Sequence, residues 1–168
     1  MNDEAFKDPT QLKEVFLIME LELTSLSQIM KEKEETQIDF NHFLTLSFNL
    51  LKSVRYLHAA GLVHRDLKPN NILINELCQV TLCDFGWTRS LTPKDSKQSK
   101  KNQRSLSPGV YARFYRPPEI VMLSESYDQS ADIWAAGCII AELYKFYLKC
   151  ENKISERSSN VLFRGSRC

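Results

Sequence analysis

Two short runs of residues constrain this chain more strongly than anything else in it: His-Arg-Asp-Leu-Lys-Pro-Asn-Asn at 64–71 and Asp-Phe-Gly at 84–86. Between them, two apolar stretches flank a turn-like Asn-Glu-Leu-Cys, which is the sequence pattern of a β-hairpin. Pairing of these stretches would place Asn71 and Asp84 side by side. Two oxygen-bearing side chains at the open end of a hairpin suit Mg²⁺ with part of its water shell. The spacing therefore predicts a site for a hard cation.

The composition is that of a single globular domain, with 168 residues of which 43% are hydrophobic and 26% are charged. A formal net charge of +1 gives no overall attraction to nucleic acid or to an anionic membrane. The five cysteines are scattered and include no Cys-x-x-Cys pair, so we expect reduced thiols and a cytoplasmic location, a nuclear one, or both. The longest apolar run, Ile133 to Ala141, is too short to span a bilayer, and the N-terminus does not resemble a secretory signal.

Together the two runs resemble the catalytic loop and the metal-binding motif of protein kinases. The resemblance implies that Asp66 accepts the proton of the substrate hydroxyl and that Lys68 neutralises charge on the transferred phosphoryl group of ATP. It also implies that Asn71 and Asp84 hold Mg²⁺. A lysine at position 68 is typical of the kinases that act on serine and threonine. An isolated Asp-Phe-Gly would read as a turn, but both runs at this separation favour the kinase interpretation.

A further resemblance lies at 113–119, Arg-Phe-Tyr-Arg-Pro-Pro-Glu, which is similar to the end of the activation segment in mitogen-activated and cyclin-dependent kinases. It implies that residues 84–119 form the activation segment. In that family the arginine at the position of Arg116 helps shape a pocket for proline after the phosphorylated residue, and the counterpart of Glu119 pairs with a downstream arginine. Ser107, which is followed by proline, is the residue that an upstream activating kinase would phosphorylate.

The resemblance assigns supporting roles to three more residues. His64 is expected to anchor the backbone of the catalytic loop rather than to act as a base. Arg65 is expected to reach towards the activation segment, where it can pair with a phosphate. Asp132 corresponds to a buried aspartate that accepts hydrogen bonds from the catalytic-loop backbone.

Residues Val15 to Leu21 form a β-rich apolar run, which predicts a buried strand. By resemblance this strand leads into the kinase hinge, with Met19 as gatekeeper and with the backbone of Glu20 and Glu22 hydrogen-bonded to the adenine edge. Leu73 is assigned to the same nucleotide site. The alternative is a core strand with no binding role.

Hydrophobic periodicity predicts two long helices. Asp39 is suited to cap the first, which we expect to run to about Ala60 and to stop at Gly61. The second, Tyr127 to Tyr144, is strongly apolar, and Lys149 to Asn160 reads as a loop. The residues predicted to form the buried face of the first helix are Phe40, Phe43, Leu44, Phe48, Leu51, Val54 and Leu57. The second helix is marked by Ile133, Trp134, Cys138, Ile139, Ile140 and Leu143, and a shorter helical pattern before both by Leu23, Leu26, Ile29 and Met30.

The stretch from Arg89 to Arg104 carries six basic residues against one acidic residue, Asp95. Its low hydrophobicity and like charges indicate a mobile segment. Nucleic-acid binding is the alternative, but no aromatic residues are interleaved for stacking on bases. We therefore expect neither nucleic acid nor a membrane among the partners.

We expect an α+β fold of the protein kinase type, consisting of the mainly helical large lobe with a remnant of the small-lobe sheet. Residues 1–22 would be the end of the small lobe and the hinge, and residues 23–168 an incomplete large lobe. No glycine-rich phosphate loop and no Val-Ala-Ile-Lys-type lysine precede the hinge. We therefore expect an incomplete product that is inactive when isolated.

Two positions depart from the mitogen-activated kinase pattern. Gly109 occupies the place of the tyrosine in the usual phosphorylation pair. Ala112 replaces a threonine whose hydroxyl bridges the catalytic aspartate and lysine, so that one orienting hydrogen bond is lost.

The resulting hypothesis is a fragment of a mitogen-activated-kinase-like serine/threonine kinase that transfers the γ-phosphoryl group of ATP to protein serine or threonine with Mg²⁺, in a proline-directed manner. Its expected partners are ATP, a protein substrate and an upstream activating kinase. The alternative is a catalytically impaired pseudokinase or truncated docking module, which Ala112 favours and the intact Asp66, Lys68, Asn71 and Asp84 oppose. A misfolded product without function is the third interpretation.

Overall fold

The computed structural model describes residues 16, 18–32, 36–90, 112–122, 128–155 and 159–163. In chain order its elements are β1 (Thr24–Ser25), α1 (Leu26–Ile29), α2 (Phe40–Ala59), β2 (Leu62–Val63), β3 (Ile72–Ile74), β4 (Val80–Leu82), β5 (Arg89–Ser90), α3 (Pro118–Val121) and α4 (Ser130–Cys150). Short 3₁₀ turns lie at Pro69–Asn71, Phe85–Trp87 and Arg113–Tyr115. Two long helices beside small antiparallel sheets confirm the predicted α+β class.

The ends of α2 lie where the sequence places them. The Asp39 carboxylate accepts a hydrogen bond from the backbone N–H of His42 at 2.8 Å and so satisfies a donor that the first helical turn leaves open. At the other end Gly61 has a φ of 73°, a left-handed conformation that glycine adopts without steric cost. The predicted cap and stop are therefore confirmed.

The predicted buried face of α2 is wrong in part. Val54 and Leu57 are buried as expected, and Phe43 is half-buried. Leu46 and Leu50 complete the core face in place of the other predicted residues. Those residues, Phe40, Leu44, Phe48 and Leu51, are exposed. The helix carries two apolar stripes, and periodicity alone does not say which of them packs against the rest of the chain.

Helix α4 extends six residues beyond the predicted Tyr144, to Cys150, so the predicted loop from Lys149 begins too early. Its buried face includes Cys138, Ile139 and Leu143, as expected. Ile133 and Trp134, however, are exposed. The reason is that the rest of the described chain packs on only one side of this strongly apolar helix.

The core lies where α2 and α4 pack antiparallel to one another. His58, near the end of α2, meets Asp132, near the start of α4, while Phe43 and Tyr144 make ring contact at the other end. Phe146 of α4 is fully buried among these elements. No helix among the described residues is both long and apolar enough to cross a membrane.

The predicted hairpin is confirmed as β3 and β4, which pair antiparallel with Ile72 opposite Leu82. β1 adds to the outer side of β3, giving the strand order β1-β3-β4, and β2 pairs separately with β5. Side chains of α2 hold the hairpin in place, because Asn49 donates to the carbonyl of Cys78 and Ser53 donates to the carbonyl of Val80.

The predicted buried strand at Val15 to Leu21 is wrong for the residues described there. Residues 16 and 18–22 form no strand, and Ile18 and Leu21 are almost fully exposed. A buried strand requires hydrogen-bonding neighbours on its edges, and no other described strand pairs with this segment. Of the predicted helical pattern that follows, only Leu26–Ile29 is helical, and Leu23 is exposed.

Candidate active site

The loop between β2 and the 3₁₀ turn at Pro69 is held from beneath by one buried carboxylate. Asp132 of α4 accepts a hydrogen bond from the backbone N–H of His64 at 2.8 Å and another from that of Arg65 at 3.0 Å. Arg65 has a φ of 73°, which costs a non-glycine residue on the order of 1 kcal/mol. The two hydrogen bonds to a desolvated charge offset that strain and fix the shape of the loop.

His58 is a further partner of the same carboxylate that the sequence did not suggest. Its Nε2 lies 2.9 Å from Oδ2 of Asp132. The side-chain amide of Gln129 donates to the His58 carbonyl at 2.9 Å, so the end of α2 is joined to the start of α4 twice. Residues 58 and 132 are far apart in sequence, and only the antiparallel packing of the two helices brings them together.

His64 ties the loop to the strand that leads into Asp84. Its Nδ1 accepts from the backbone N–H of Asp66 at 3.3 Å, and its Nε2 lies 3.0 Å from the carbonyl of Cys83. An N–H on one side and a carbonyl on the other place the ring proton on Nε2. The imidazole is fully buried and rests against the Phe85 ring, with 5.2 Å between centroids. These contacts give His64 a structural position rather than a position open to substrate.

Asp66, Lys68 and Asn71 form a compact hydrogen-bonded group. The Lys68 ammonium lies 2.6 Å from Oδ2 of Asp66. The Asn71 amide donates both to that oxygen, at 3.1 Å, and to the Asp66 carbonyl, at 2.9 Å. Asp66 is buried and Lys68 is half-buried. A carboxylate oriented by two donors is positioned to take up a proton while its cationic neighbour faces added negative charge.

Asp84 lies at the open end of the hairpin, as predicted. The backbone N–H of Cys83 donates to the carbonyl of Asn71 at 3.0 Å, so the two motifs are adjacent. Asp84 has a φ of 63° and an exposed carboxylate. A Cβ at Gly86 would lie 3.3 Å from Oδ1 of Asp84, so glycine is the residue that leaves this carboxylate room.

The donor set at this edge suits Mg²⁺. With the Asn71 amide nitrogen turned to Asp66, its oxygen remains as an acceptor, and Asp84 supplies a carboxylate at the same end of the hairpin. The described residues contain no group of three or more histidine, cysteine or acidic side chains that would form a protein-only metal cage. Mg²⁺ commonly takes only one or two protein oxygens and fills its octahedron with water and phosphate oxygens, so the residues fit that ion.

The fold brings together only two of the four residues assigned to adenine recognition, which are Met19, Glu20, Glu22 and Leu73. Glu22 accepts a hydrogen bond from the Thr81 hydroxyl at 2.8 Å, and Leu73 lies opposite Thr81 in the hairpin. Met19 and Glu20 are exposed. All three glutamate and methionine positions precede β1 in irregular chain, but Glu22 contacts the sheet that contains Leu73, whereas Met19 and Glu20 are exposed.

The end of the predicted activation segment packs on α4. Ala112 is half-buried and packs against the core, with Arg116 and Glu119 half-buried after it. No lysine or arginine among the described residues lies within ion-pair distance of Glu119. Ser107 and Gly109 lie outside the described residues. Arg65, which is itself part of the loop held by Asp132, is buried.

A buried pair that the sequence reading missed anchors this segment. The Tyr115 hydroxyl donates to Oε2 of Glu142 at 3.0 Å. Burial raises the pKa of the Glu142 carboxyl, although the hydrogen bond from Tyr115 acts in the opposite direction. Burial, reinforced by Glu142, also raises the pKa of the Tyr115 phenol. A lone glutamate inside the apolar sequence of α4 was the available signal, because buried acids have partners.

Comparison with known proteins shows which family has this sequence and this arrangement of motifs. A family model described as protein kinase domain matches residues 4–165. Mitogen-activated protein kinase 7 of Arabidopsis thaliana is 38% identical over 80% of this chain and 34% of its own length. The mitogen-activated protein kinase HOG1 of Saccharomyces cerevisiae is 37% identical over 79% of this chain and 27% of its own length.

The fold is also found among solved structures. A chain from the crystal structure of the yeast RNA Pol II CTD kinase CTDK-1 complex superposes with a TM-score of 0.65 at 30% identity, covering 76% of this chain and 38% of that one. The present chain thus spans about a third of the length of the curated relatives it matches. With the two motifs adjacent and the family model covering nearly the whole sequence, the chain belongs to the protein kinase domain family and is similar to mitogen-activated kinases.

Proposed function

We propose that the complete protein transfers the γ-phosphoryl group of ATP to serine or threonine hydroxyls of a protein. The observation that carries this proposal is the group formed by Asp66, Lys68 and Asn71, in which one buried carboxylate is oriented by two donors. Asp66 takes the proton from the attacking hydroxyl, and Lys68 balances charge on the transferred phosphoryl group. Asn71 keeps Asp66 in position. Phosphoryl transfer of this kind depends on positioning and charge rather than on covalent catalysis.

Protein kinases in general use ATP and Mg²⁺. For this chain we assign Mg²⁺ to the Asn71 oxygen and the Asp84 carboxylate, where it would neutralise phosphate charge. The adenine edge is assigned to the backbone around Glu20 and Glu22, next to Met19 and Leu73. His64 and Asp132 support this site without touching substrate.

The partners follow from the same assignment. We assign a protein substrate with proline after the phosphorylated residue, because Arg116 precedes the Pro-Pro-Glu of the segment end. An upstream kinase would act at Ser107 and the added phosphate would be read by Arg65. A cytoplasmic or nuclear location fits the unpaired thiols of the described cysteines.

Thermal shift with Mg-ATP tests nucleotide binding in the chain itself. Since a ligand that binds only the folded state raises its melting temperature, Mg-ATP should produce a shift that exceeds the shift with ATP and EDTA. Asp84→Ala should remove the Mg²⁺-dependent part, while Asp128→Ala, an exposed acid outside the site, should keep it. Equal shifts with and without Mg²⁺ would contradict the cation assignment.

A transfer assay in the complete protein tests the chemistry. Asp66→Asn should abolish phosphoryl transfer to a proline-directed peptide and leave the Mg-ATP shift largely intact. Retained transfer would remove Asp66 from the role of base. Binding of protein partners without any nucleotide shift would instead support the docking-module alternative, which Ala112 favours.

A further inference from the structure

The end of α2 and the start of α4 are joined by two hydrogen bonds that run in opposite directions. The His58 ring of α2 lies with its Nε2 2.9 Å from Oδ2 of Asp132. The side-chain amide of Gln129, the residue before α4, donates to the His58 backbone carbonyl at 2.9 Å. The Asp132 side chain is fully buried and that of His58 is 11% exposed, so water competes little for this contact.

His58 is the donor in its contact with Asp132. A carboxylate accepts hydrogen bonds and does not donate them, so the proton between the two groups belongs to Nε2 of His58. The neutral ring and the imidazolium both supply this proton. A hydrogen bond to an ionised acceptor is stronger than one between neutral groups. The contact therefore fixes the position of the carboxylate as well as that of the ring.

Three donors converge on the Asp132 carboxylate, and they come from two separate parts of the chain. Oδ2 accepts from the His64 backbone N–H at 2.8 Å and also faces His58, while Oδ1 accepts from the Arg65 backbone N–H at 3.0 Å. The torsion that rotates an aspartate carboxylate about its Cβ–Cγ bond is broad, so the residue does not fix the plane by itself. A donor on a separate helix restricts that rotation. His58 thus sets the orientation in which the carboxylate meets the two loop N–H groups.

The loop transmits this orientation to Asp66. Arg65 has a left-handed φ of 73°, and its hydrogen bond to Asp132 helps to hold it there. Asp66 follows directly, and its backbone N–H donates to Nδ1 of His64 at 3.3 Å. Both residues before Asp66 are therefore bound to the carboxylate that His58 orients. Rotation of that carboxylate would move the backbone from which the Asp66 side chain extends.

The hairpin that carries the cation site is held by other side chains of α2. Asn49 donates to a backbone carbonyl in the hairpin turn, and Ser53 donates to one in β4. Neither hydrogen bond involves His58. Loss of the His58 donor therefore leaves the strand that leads to Asp84 in place, so nucleotide binding depends less on His58 than the placement of Asp66 does.

We propose that His58 is a positioning residue for phosphoryl transfer. It acts through Asp132 on the backbone that precedes Asp66, without itself contacting substrate. Small errors in the placement of a reacting group cost orders of magnitude in rate, so the His58 donor affects kcat rather than nucleotide affinity. The kinetic consequence rests on the proposed function, whereas the consequence for the loop rests on the contacts alone.

Two substitutions of similar size isolate the hydrogen bond. His58→Gln keeps a side-chain N–H donor, and His58→Met removes it. Glutamine and methionine have nearly equal helix propensities, and both lack the ring, so the loss of packing is common to the two variants. The difference between the variants therefore reports the donor and not the change in volume.

Amide hydrogen exchange of the full chain, followed residue by residue by NMR, tests the effect on the loop. The backbone N–H groups of His64 and Arg65 should exchange about tenfold faster or more in His58→Met than in His58→Gln, because their acceptor is no longer fixed. The N–H of Val54, a fully buried residue of α2, should be protected equally in both variants. Equal exchange of the loop N–H groups in the two variants, or a loss of protection at Val54 as large as that in the loop, would overturn the proposal.

Steady-state transfer by the complete protein tests the effect on the reaction. His58→Met should lower kcat by about tenfold or more and change KM for ATP by less than about twofold, while His58→Gln should keep most of the kcat. Equal kcat values for the two variants, or an effect confined to KM for ATP, would overturn the positioning role. An unmodified complete protein that transfers no phosphoryl group would contradict the proposed function instead, and the exchange rates would still decide whether His58 anchors the loop.

Discussion

At the scale of single residues, Asp132 does more than any other side chain to shape the candidate site. It is fully buried, and its carboxylate accepts hydrogen bonds from the backbone N–H groups of His64 and Arg65. Its Oδ2 also lies within hydrogen-bond distance of Nε2 of His58. A buried carboxylate is tolerated because each of these contacts replaces a hydrogen bond to water. Its effect on chemistry is indirect, since it sets the backbone on which Asp66 stands.

Asp132→Ala should destabilise the fold by about 3 kcal/mol, because it leaves two buried N–H groups without an acceptor. Urea unfolding followed by circular dichroism measures the change. Glu76→Ala, an exposed acid in the hairpin turn, is the matched control and should unfold as the unmodified chain does. Equal midpoints for the two variants would contradict the anchoring role.

Glu142→Gln should change how stability depends on pH. The raised pKa of Glu142 means that the folded chain keeps a proton that the unfolded chain releases above its ordinary value of 4.5. Stability should therefore fall as pH rises from 4.5 through the folded pKa of this group, and the variant should lose that component. Urea midpoints across the acid-to-neutral range measure it, with Glu151→Gln, an exposed glutamate, as control.

The sequence predicted which residues of the two motifs lie together, but it did not predict all of the side chains that support them. Asp66, Lys68, Asn71 and Asp84 are close together because a short hairpin joins their runs, and local pattern predicts a hairpin well. The contacts of His58 with Asp132 and of Tyr115 with Glu142 depend on how helices pack. No local pattern contains that information.

At the scale of elements, α2 shows which features a sequence settles. Its ends are set by Asp39 and Gly61, two residues whose chemistry acts within a few positions. Its buried side is set by what packs on it, and the more aromatic of its two apolar stripes is the one that stays exposed. The described residues of the apolar run from Val15 to Leu21 form no strand for a related reason, because a buried strand needs hydrogen-bonding strands beside it.

Asp39→Ala should lower the unfolding midpoint at neutral pH, while Asp39→Asn, which keeps an acceptor at the cap, should lie close to the unmodified chain. The hydrogen bond from the His42 N–H lowers the pKa of Asp39 below 3.8. The stability that the Asp39 carboxylate contributes to the fold is therefore present above pH 3.8 and is lost as pH falls through the pKa of Asp39 in the folded chain. Urea midpoints at neutral and strongly acid pH should show a difference that closes in acid.

At the scale of the whole molecule, α4 is the element on which the others are assembled. It holds the loop at His64 and Arg65 through Asp132, it holds Tyr115 through Glu142, and its Phe146 lies in the hydrophobic core. These contacts come from one buried side of a single helix. We therefore expect the described elements to unfold together.

Phe146→Ala should cost about 3–5 kcal/mol, because it removes a fully buried ring and leaves a cavity. A domain of this size has about 5–15 kcal/mol in total, so the melting temperature should fall steeply. Tyr56→Ala, at an exposed position of α2, is the control. Tryptophan fluorescence, to which Trp87 and Trp134 both contribute, and far-ultraviolet circular dichroism should report the same midpoint.

The distance along the chain between the loop and its anchor has a consequence for biosynthesis. The backbone N–H groups of His64 and Arg65 donate to the carboxylate of Asp132, which the ribosome adds 68 and 67 residues after them. At roughly 5–20 residues per second, that delay is on the order of several seconds. Until then the nascent polypeptide lacks the support that shapes this loop, so we expect the candidate catalytic residues to acquire their arrangement only after α4 has been synthesised.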